Sequence, residues 1–566
     1  MTRLSYVNGA ASRPLIGLTI GDYFDAVAQR QPEHESLVCY PSEQRYSYGA
    51  LLAAVDRCAR GLLGLGIERG DRVGVWAPNR AEWVVLQFAT AKIGAILVNV
   101  NPAYRSAELE YVVGQSGLRL LVFAPRVRRS DYLEILQQVI PGLSSLPARP
   151  DRISCEKFPH LQAVVQLDDP GAPGLWGWED LLELADRVPA DRLEALRHVL
   201  QFDDPINIQY TSGTTGFPKG ATLSHHNILN NAWFVGERMR FTQADRLCIP
   251  VPLYHCFGMV LGNLACVAHG ATMVFPAETY DALATLQAVE RERCTALHGV
   301  PTMFIAQLNH PEFARFDLSS LRTGIMAGSP CPIELMRQVI EKMHLREIEI
   351  AYGMTETSPV SFQTAADDPI EKRVGTVGRI LPHLECKIIR PETGAIVPEG
   401  EPGELCTRGT SVMLGYWNDP EATGKAIDAA RWMHSGDLAT MSDGYVNIVG
   451  RIKDLIIRGG ENIFPREIEE FLHTLPAVAE AYVVGVPSRR YGEEIMAWIR
   501  LRPGAAATAE EIQAACRASL AHFKTPRYVK FTDTFPMTVT GKVQKFVMRK
   551  LAVEELGLQG EVEATA

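Results

Sequence analysis

Apolar and polar positions alternate along this chain in more than one rhythm. Between about residues 36 and 275, short β-rich runs alternate with helical patterns: a strand at Arg72–Trp76, an amphipathic helix over 80–93, then strands at 95–98 and 118–123. This alternation predicts α/β layers. A further buried strand at 206–210 runs directly into a Gly/Thr-rich loop, and loops at strand ends are where α/β sheets hold ligands.

Beyond residue 380 the pattern changes to β-rich segments separated by Gly/Pro turns, at 385–389, 403–408 and 445–449, which predicts a smaller β subdomain. After Gly450 the pattern is compact α+β, with strands at 455–457, 481–486, 496–501 and 528–531 and helices at 465–475 and near 510–521. The expected fold class is therefore α/β: a large N-terminal region of layered α/β subdomains plus a β-rich subdomain, and a small mobile α+β C-terminal domain. The division is expected at 1–451, a hinge at 452–454, and 455–566, with a tail frayed beyond Leu556. No internal repeat of the solenoid kind is present.

Composition narrows the classes. A chain of 566 residues exceeds the roughly 250–300 that one core accommodates, so two or three domains are expected. Hydrophobic residues at 46% and charged residues at 22% exclude a disordered or fibrous chain. The net charge of −10 is spread without long single-sign blocks, leaving no electrostatic footprint for nucleic acid or an anionic membrane. An anionic ligand must then be held by a local site. The 11 cysteines form no C-x-x-C pair, so reduced thiols are expected. Met1 to Gly9 carries neither a signal-peptide nor a transit-peptide pattern, which gives a cytoplasmic address as the expectation. The most apolar stretches, 83–100 and 251–275, are interrupted by Gln87 and Lys92 and by His255, Asn263 and His269, so no transmembrane segment is expected.

The candidate chemistry begins in Thr211-Ser212-Gly213-Thr214-Thr215-Gly216-Phe217-Pro218-Lys219-Gly220. Glycines let backbone amides approach an anion, hydroxyls donate further hydrogen bonds, and Lys219 adds positive charge. The segment suits phosphate oxygens better than a bare surface turn. It is not a Walker A loop, because only Thr214 and Thr215 separate Gly213 from Gly216.

With this loop the sequence resembles the adenylate-forming (AMP-binding) superfamily, which includes acyl-CoA synthetases, peptide-synthetase adenylation domains and beetle luciferases. The resemblance extends over nearly the whole chain. It is closest to medium-chain fatty acyl-CoA ligases, through stretches such as Asn101-Pro102-Ala103-Tyr104, Pro252-Leu253-Tyr254-His255-Cys256 and Val412-Met413-Leu414-Gly415-Tyr416-Trp417.

The resemblance implies roles at further positions. In Tyr352-Gly353-Met354-Thr355-Glu356 it gives Thr355 to the α-phosphate and Glu356 to Mg²⁺, consistent with the oxygen ligands magnesium prefers. It gives Gly328 and Ser329 to the adenine pocket, where alone they signal a turn, and Asp437 with Arg451 to the ribose. His255 stands where the family has a residue beside the acyl carboxylate, with Tyr254 in the acyl pocket. Gly258 and Gly262 follow and could leave an acyl tunnel open. Lys542, in Thr540-Gly541-Lys542, matches the lysine that reaches into the adenylation site. Lys453 matches the hinge pivot, and Gly459 and Gly460 a loop that approaches the pantetheine arm of coenzyme A.

The implied activity is an ATP-dependent acid–thiol ligase with fatty acid, ATP and coenzyme A as partners and Mg²⁺ as cofactor. Alternatives are a stand-alone adenylating enzyme acting on a carrier protein or an aryl acid, luciferase-like oxygenation, and a non-catalytic nucleotide-binding scaffold. The last is opposed by the presence of both Glu356 and Lys542. Acyl chain length is not legible, and oligomeric state is left open, a homodimer included.

Overall fold

The computed structural model describes residues 3–127, 130–168, 172–211, 218–538 and 542–559. Two large sheets form the frame. In one, strands Trp176–Gly177, Ala163–Gln166, Leu120–Phe123, Arg72–Trp76, Ile96–Asn99 and Pro205–Thr211 run parallel, and Lys219–Ser224 and Gly415–Tyr416 close the edge antiparallel. The other has a parallel centre running from Glu35–Cys39 through Thr272–Phe275, Arg246–Cys248, Ala296–Leu297 and Thr323–Met326 to Glu347–Gly353. Parallel strands are covered on both faces, so they read as continuous apolar runs. Leu120–Phe123 and Ile96–Asn99 are buried at every position.

The helix Ala81–Ile93 departs from the amphipathic expectation. It is buried at every position but Glu82, because helices Ile20–Arg30 and Tyr48–Gly64 cover the face turned away from its sheet. Its polar residues are buried with partners. The Lys92 ammonium binds Asp25 at 2.7 Å and also pairs with Asp56, as a buried charge requires.

A third sheet is antiparallel throughout: Tyr6–Asn8, Leu384–Ile389, Gly403–Gly409, Met433–Ser442 and Tyr445–Arg451. This is the β-rich subdomain read from the sequence, with the N-terminal strand added at its edge. The apolar core shared by these layers runs from Ile20 to Val446.

From Ile456 onward the side chains build two further clusters of their own. Strands Ile456–Arg458, Glu461–Ile463, Val478–Ser488, Gly492–Leu501 and Tyr528–Phe531 form a mixed sheet, with helices Pro465–His473, Ala509–Ser519 and Lys545–Glu555 against it. Leu556 and Leu558 pack on the second of these clusters, so order extends past the expected point of fraying. The C-terminal unit docks through Arg466, whose guanidinium donates to the Ile448 carbonyl at 2.6 Å. Among the described residues no helix is long and apolar enough to cross a membrane.

Candidate functional site

The loop at 211–220 is the tip of a hairpin, since Thr211 pairs with Lys219 where strands Pro205–Thr211 and Lys219–Ser224 separate. Ser212, Gly213, Thr214, Thr215 and Gly216 lie outside the described residues. The loop's two ends converge on one carboxylate. Thr211 Oγ1 donates to Glu356 Oε1 at 3.4 Å, Tyr416 Oη donates to the same oxygen at 2.8 Å, and Lys219 Nζ lies 5.2 Å from the centre of the Tyr416 ring. A cation over an aromatic face is held by the ring quadrupole.

Glu356 is set by the turn after strand Glu347–Gly353. Gly353 is indispensable there, because a Cβ would lie 1.8 Å from the Pro359 carbonyl oxygen. Thr355 and Glu356 are both buried. Thr355 Oγ1 lies 3.8 Å from Cys256 Sγ, and that sulfur lies 3.5 Å from His255 Nδ1, so Cys256 joins the turn to the apolar segment.

His255 caps its short helix by accepting from Phe257 N at Nδ1, 3.2 Å away. With Nδ1 an acceptor, the proton sits on Nε2. Burial, and then the Lys542 ammonium, press its pKa down to about 4, so the ring is neutral near pH 7. Tyr254 presents a buried hydroxyl with no protein partner among the described residues.

Gly258 and Gly262 correct the expectation of an open tunnel. A Cβ at Gly258 would lie 2.4 Å from the Pro252 carbonyl oxygen, and one at Gly262 would lie 3.1 Å from the Ile249 side chain. The space these glycines leave is already filled by neighbours, so they permit close packing. The backbone here is a π-helix over Met259–Leu264, a rare form that recurs at functional sites.

Tyr352 Oη donates to Asp437 Oδ2 at 2.6 Å, and Arg451 Nε pairs with Oδ1 at 3.0 Å. Each carboxylate oxygen keeps a second lone pair free for another donor. Gly328, at φ +88°, follows strand Thr323–Met326, the neighbour in register of Glu347–Gly353. The Gly328–Ser329 turn and the Thr355–Glu356 turn therefore leave adjacent strand ends.

Lys542 comes from the C-terminal unit. Its amide donates to Thr538 Oγ1 at 3.1 Å and its carbonyl accepts from Thr538 N at 2.7 Å, next to the bridge between Met537 and Val543. Lys542 is an exposed residue whose ammonium is nonetheless partly desolvated by the surrounding protein. Desolvation, followed by repulsion from Arg451, lowers its pKa to about 8 against the opposing pull of Asp437, Asp454 and Glu356. Lys542 thus shares one electrostatic neighbourhood with His255, Glu356, Asp437 and Arg451.

Two expected elements lie apart from this cluster. Lys453 is exposed in the turn Ile452–Asp454 directly after strand Tyr445–Arg451. Gly459 and Gly460 join strands Ile456–Arg458 and Glu461–Ile463 with φ of +61° and +88°, the left-handed pair a two-residue hairpin needs. Gly459 N donates to the Tyr491 carbonyl at 2.7 Å.

Cys256 and Tyr416 were not singled out from the sequence. Tyr416 lies within the stretch Val412 to Trp417, and Cys256 directly follows His255. Neither has a local pattern that announces its partner.

A site that brings the two ends of a phosphate-type loop beside a buried carboxylate, within the electrostatic reach of a lysine from a second unit, defines an adenylate-forming enzyme. The chain matches the AMP-binding enzyme family over residues 24–417 and the AMP-binding enzyme C-terminal domain over 467–542. It is 49% identical to the putative acyl-CoA synthetase YngI of Bacillus subtilis, over 96% of this chain and 99% of that one. It is 44% identical to the human mitochondrial medium-chain acyl-CoA ligase ACSF2, over 98% and 91%. The fold resembles the anthranilate CoA ligase AuaEII in complex with anthranoyl-AMP, with a TM-score of 0.84 and 26% identity over 96% of this chain and 99% of that one. It also resembles ATP-bound MatB from Rhodopseudomonas palustris, at 0.79 and 29% over 94% and 98%. The chain belongs to the AMP-binding enzyme family, as an AMP-forming acyl-CoA synthetase.

Proposed function

We propose that this cleft adenylates a fatty acid, with medium-chain acids the preferred class, and then transfers the acyl group to coenzyme A. The convergence of Lys542 on His255, Glu356, Asp437 and Arg451 carries the reading. The ACSF2 relatives, named for medium-chain substrates, support the chain-length class.

A fatty-acid carboxylate, with a pKa of about 4.3 like that of Glu, is ionised at neutral pH and must approach a polyanionic triphosphate. Like charge is the obstacle. The Lys542 ammonium bridges carboxylate and α-phosphate, Thr355 donates to the α-phosphate, and the 211–220 loop with Lys219 receives the remaining phosphates. His255, neutral with its proton on Nε2, offers the carboxylate a donor without adding a second cation. As a carboxylate oxygen bonds to the α-phosphorus, the bond to pyrophosphate breaks.

Glu356 is the residue that would hold Mg²⁺. A buried carboxylate with one oxygen anchored by Tyr416 and Thr211 fits a hard ion shared with phosphates. When bound, the ion neutralises phosphate charge. Asp437 accepts from the ribose diol, and Gly328, Ser329, Tyr352 and Gly353 line the nucleotide.

In the second step the thiol of coenzyme A attacks the acyl carbonyl, AMP departs with the bonding pair, and the thiol proton is lost. Lys542 has no role in this step, and the C-terminal unit must open a path for pantetheine. The division at 1–451, 452–454 and 455–566 serves this exchange, with Lys453 in the turn as pivot. The paired glycines 459 and 460 let backbone approach the pantetheine arm. Acid-dependent pyrophosphate release before any coenzyme A is added tests the reading.

A further inference from the structure

The β-rich sheet carries a second cluster of ligand-type side chains, outside the cleft. Cys406 and His434 are directly opposed on the antiparallel strands Gly403–Gly409 and Met433–Ser442, and Glu404 stands two positions from Cys406 on the same face. Cys406 Sγ is 3.6 Å from His434 Nδ1, and Glu404 Oε2 is 2.9 Å from the same nitrogen. The three ligand atoms all lie within 4.8 Å of one another. On the far side of the ring, Asp428 Oδ2 is 3.6 Å from Nε2. The thiol is buried while the His434 side chain is 29% exposed, which leaves a route in from solvent.

We propose that Cys406, His434 and Glu404 form a binding site for a borderline-soft divalent cation of the zinc type, and that its occupancy weakens the nucleotide grip at Asp437. A tetrahedral ion bonded to nitrogen at about 2.0–2.1 Å and to sulfur at about 2.3 Å separates the two by roughly 3.6 Å. Cys406 and His434 already stand at that separation. A thiolate and an imidazole select this class over Mg²⁺ or Ca²⁺, which take oxygen ligands. Three protein ligands leave the fourth position to water.

The proton balance is simple. Burial, and then the Glu404 carboxylate, push the Cys406 thiol up to about 12, so the metal–sulfur bond forms as the thiol proton leaves to solvent. Nδ1 must be unprotonated to ligate, which puts the ring proton on Nε2, facing Asp428. A carboxylate behind a ligating histidine fixes its tautomer and orientation.

The same residues reach the nucleotide side. Glu404 pairs with Leu438 and Cys406 with His434, so Ser435, Gly436 and Asp437 bulge from the ladder with strand Gly403–Gly409, while Asp437 stays paired with Arg451 on the other side. Bulges of this kind aim side chains. Glu404 Oε1 accepts from Gly436 N at 3.2 Å, and Ser435 Oγ, which donates to the Leu405 carbonyl at 2.6 Å, accepts from Asp437 N at 3.1 Å. A cation that draws Glu404 toward Cys406 competes with the Gly436 contact that shapes the turn. This second half rests on the reading of Asp437 as the ribose contact; the site itself does not.

Titration of the full-length protein with Co²⁺, without ATP or Mg²⁺, tests the site. The expected result is one equivalent bound with a sulfur-to-cobalt charge-transfer band, displaced by Zn²⁺. The band is lost in Cys406→Ser and in His434→Asn, and retained in Cys155→Ser. Thermal midpoints without metal establish that each variant is folded, and Glu404→Gln, expected to weaken binding at least tenfold, stands in should Cys406→Ser not fold. Absence of the band, or its survival in both His434→Asn and Glu404→Gln, overturns the site. For the coupling, Zn²⁺ raises the KM for ATP in the unaltered protein and not in His434→Asn. Stoichiometric binding with an unchanged KM overturns the coupling and leaves the site standing.

Discussion

Tyr416 and Glu356, 60 positions apart in the chain, meet through a 2.8 Å hydrogen bond from the phenol to Oε1. Strand Gly415–Tyr416 reaches Glu356 by pairing on Lys219–Ser224, the second arm of the hairpin that carries the 211–220 loop. The phosphate-type loop and Tyr416 are thus built on one sheet edge, and the phenol ties that edge to the turn of the other large sheet that carries Glu356, the carboxylate proposed to hold Mg²⁺. The phenol fixes the direction in which the carboxylate presents its free oxygen.

Tyr416→Phe removes that donor and little volume. A hydrogen bond to a charged group is worth about 1.5–3 kcal/mol, so the KM for MgATP should rise at least tenfold while the acid's KM changes little. Initial-rate kinetics over varied MgATP check this. Equal changes in both KM values would assign Tyr416 a general structural role.

Lys542→Ala should reduce acyl-AMP formation by about 10²–10³-fold, the scale seen when one preorganised donor to developing charge is lost. Thioester formation from supplied acyl-AMP should survive. The two half-reactions are assayed separately, and equal loss of both would contradict a lysine that serves only the first.

The same lysine predicts a pH dependence. Its pKa is lowered to about 8, so the ammonium is present below pH 8 and lost as pH rises through it. The kcat/KM of adenylation, which reports the free enzyme, should fall above about pH 8. Arginine stays charged throughout, so Lys542→Arg should abolish the break even if the rate drops. A profile that keeps its break in Lys542→Arg would place the titrating group elsewhere.

Gly258→Ala sets a Cβ against the Pro252 backbone and should cost about 1–3 kcal/mol. Gly262→Ala meets only the Ile249 side chain, which can shift, and should cost less. Thermal midpoints of the two variants, with acyl chain-length profiles, check this. A shortened profile with unchanged stability in Gly258→Ala would restore the open-tunnel reading.

The sequence exposed what is local and repeated. Buried parallel strands such as Leu120–Phe123 are continuous apolar runs, the hairpin arm before the loop carries the β-branched Ile206 and Ile208, and the change of rhythm past Gly450 marks where the cores separate. Individual motifs such as Thr355-Glu356 and Thr540-Gly541-Lys542 were legible only by their resemblance to a family. Contacts made across the chain left no local trace. Cys256 bridges His255 to Thr355, and Tyr416 reaches Glu356, through sheet register that no short window contains. The helix Ala81–Ile93 departs from its expected amphipathic form for the same reason, because Gln87 and Lys92 face partners on other helices and not water. The glycines 258 and 262 signal small size, and only the neighbours decide whether that means a tunnel or close packing.

The most direct test of the account is pyrophosphate release measured with ATP and Mg²⁺ across straight-chain acids from C2 to C18, first without and then with coenzyme A. Acid-dependent release is expected without coenzyme A, bounded by formation of enzyme-held acyl-AMP. Turnover to acyl-CoA and AMP should follow when coenzyme A is added, with the highest kcat/KM among medium-chain acids. Absence of acid-dependent pyrophosphate release, or cleavage of ATP to ADP and phosphate instead, would contradict it.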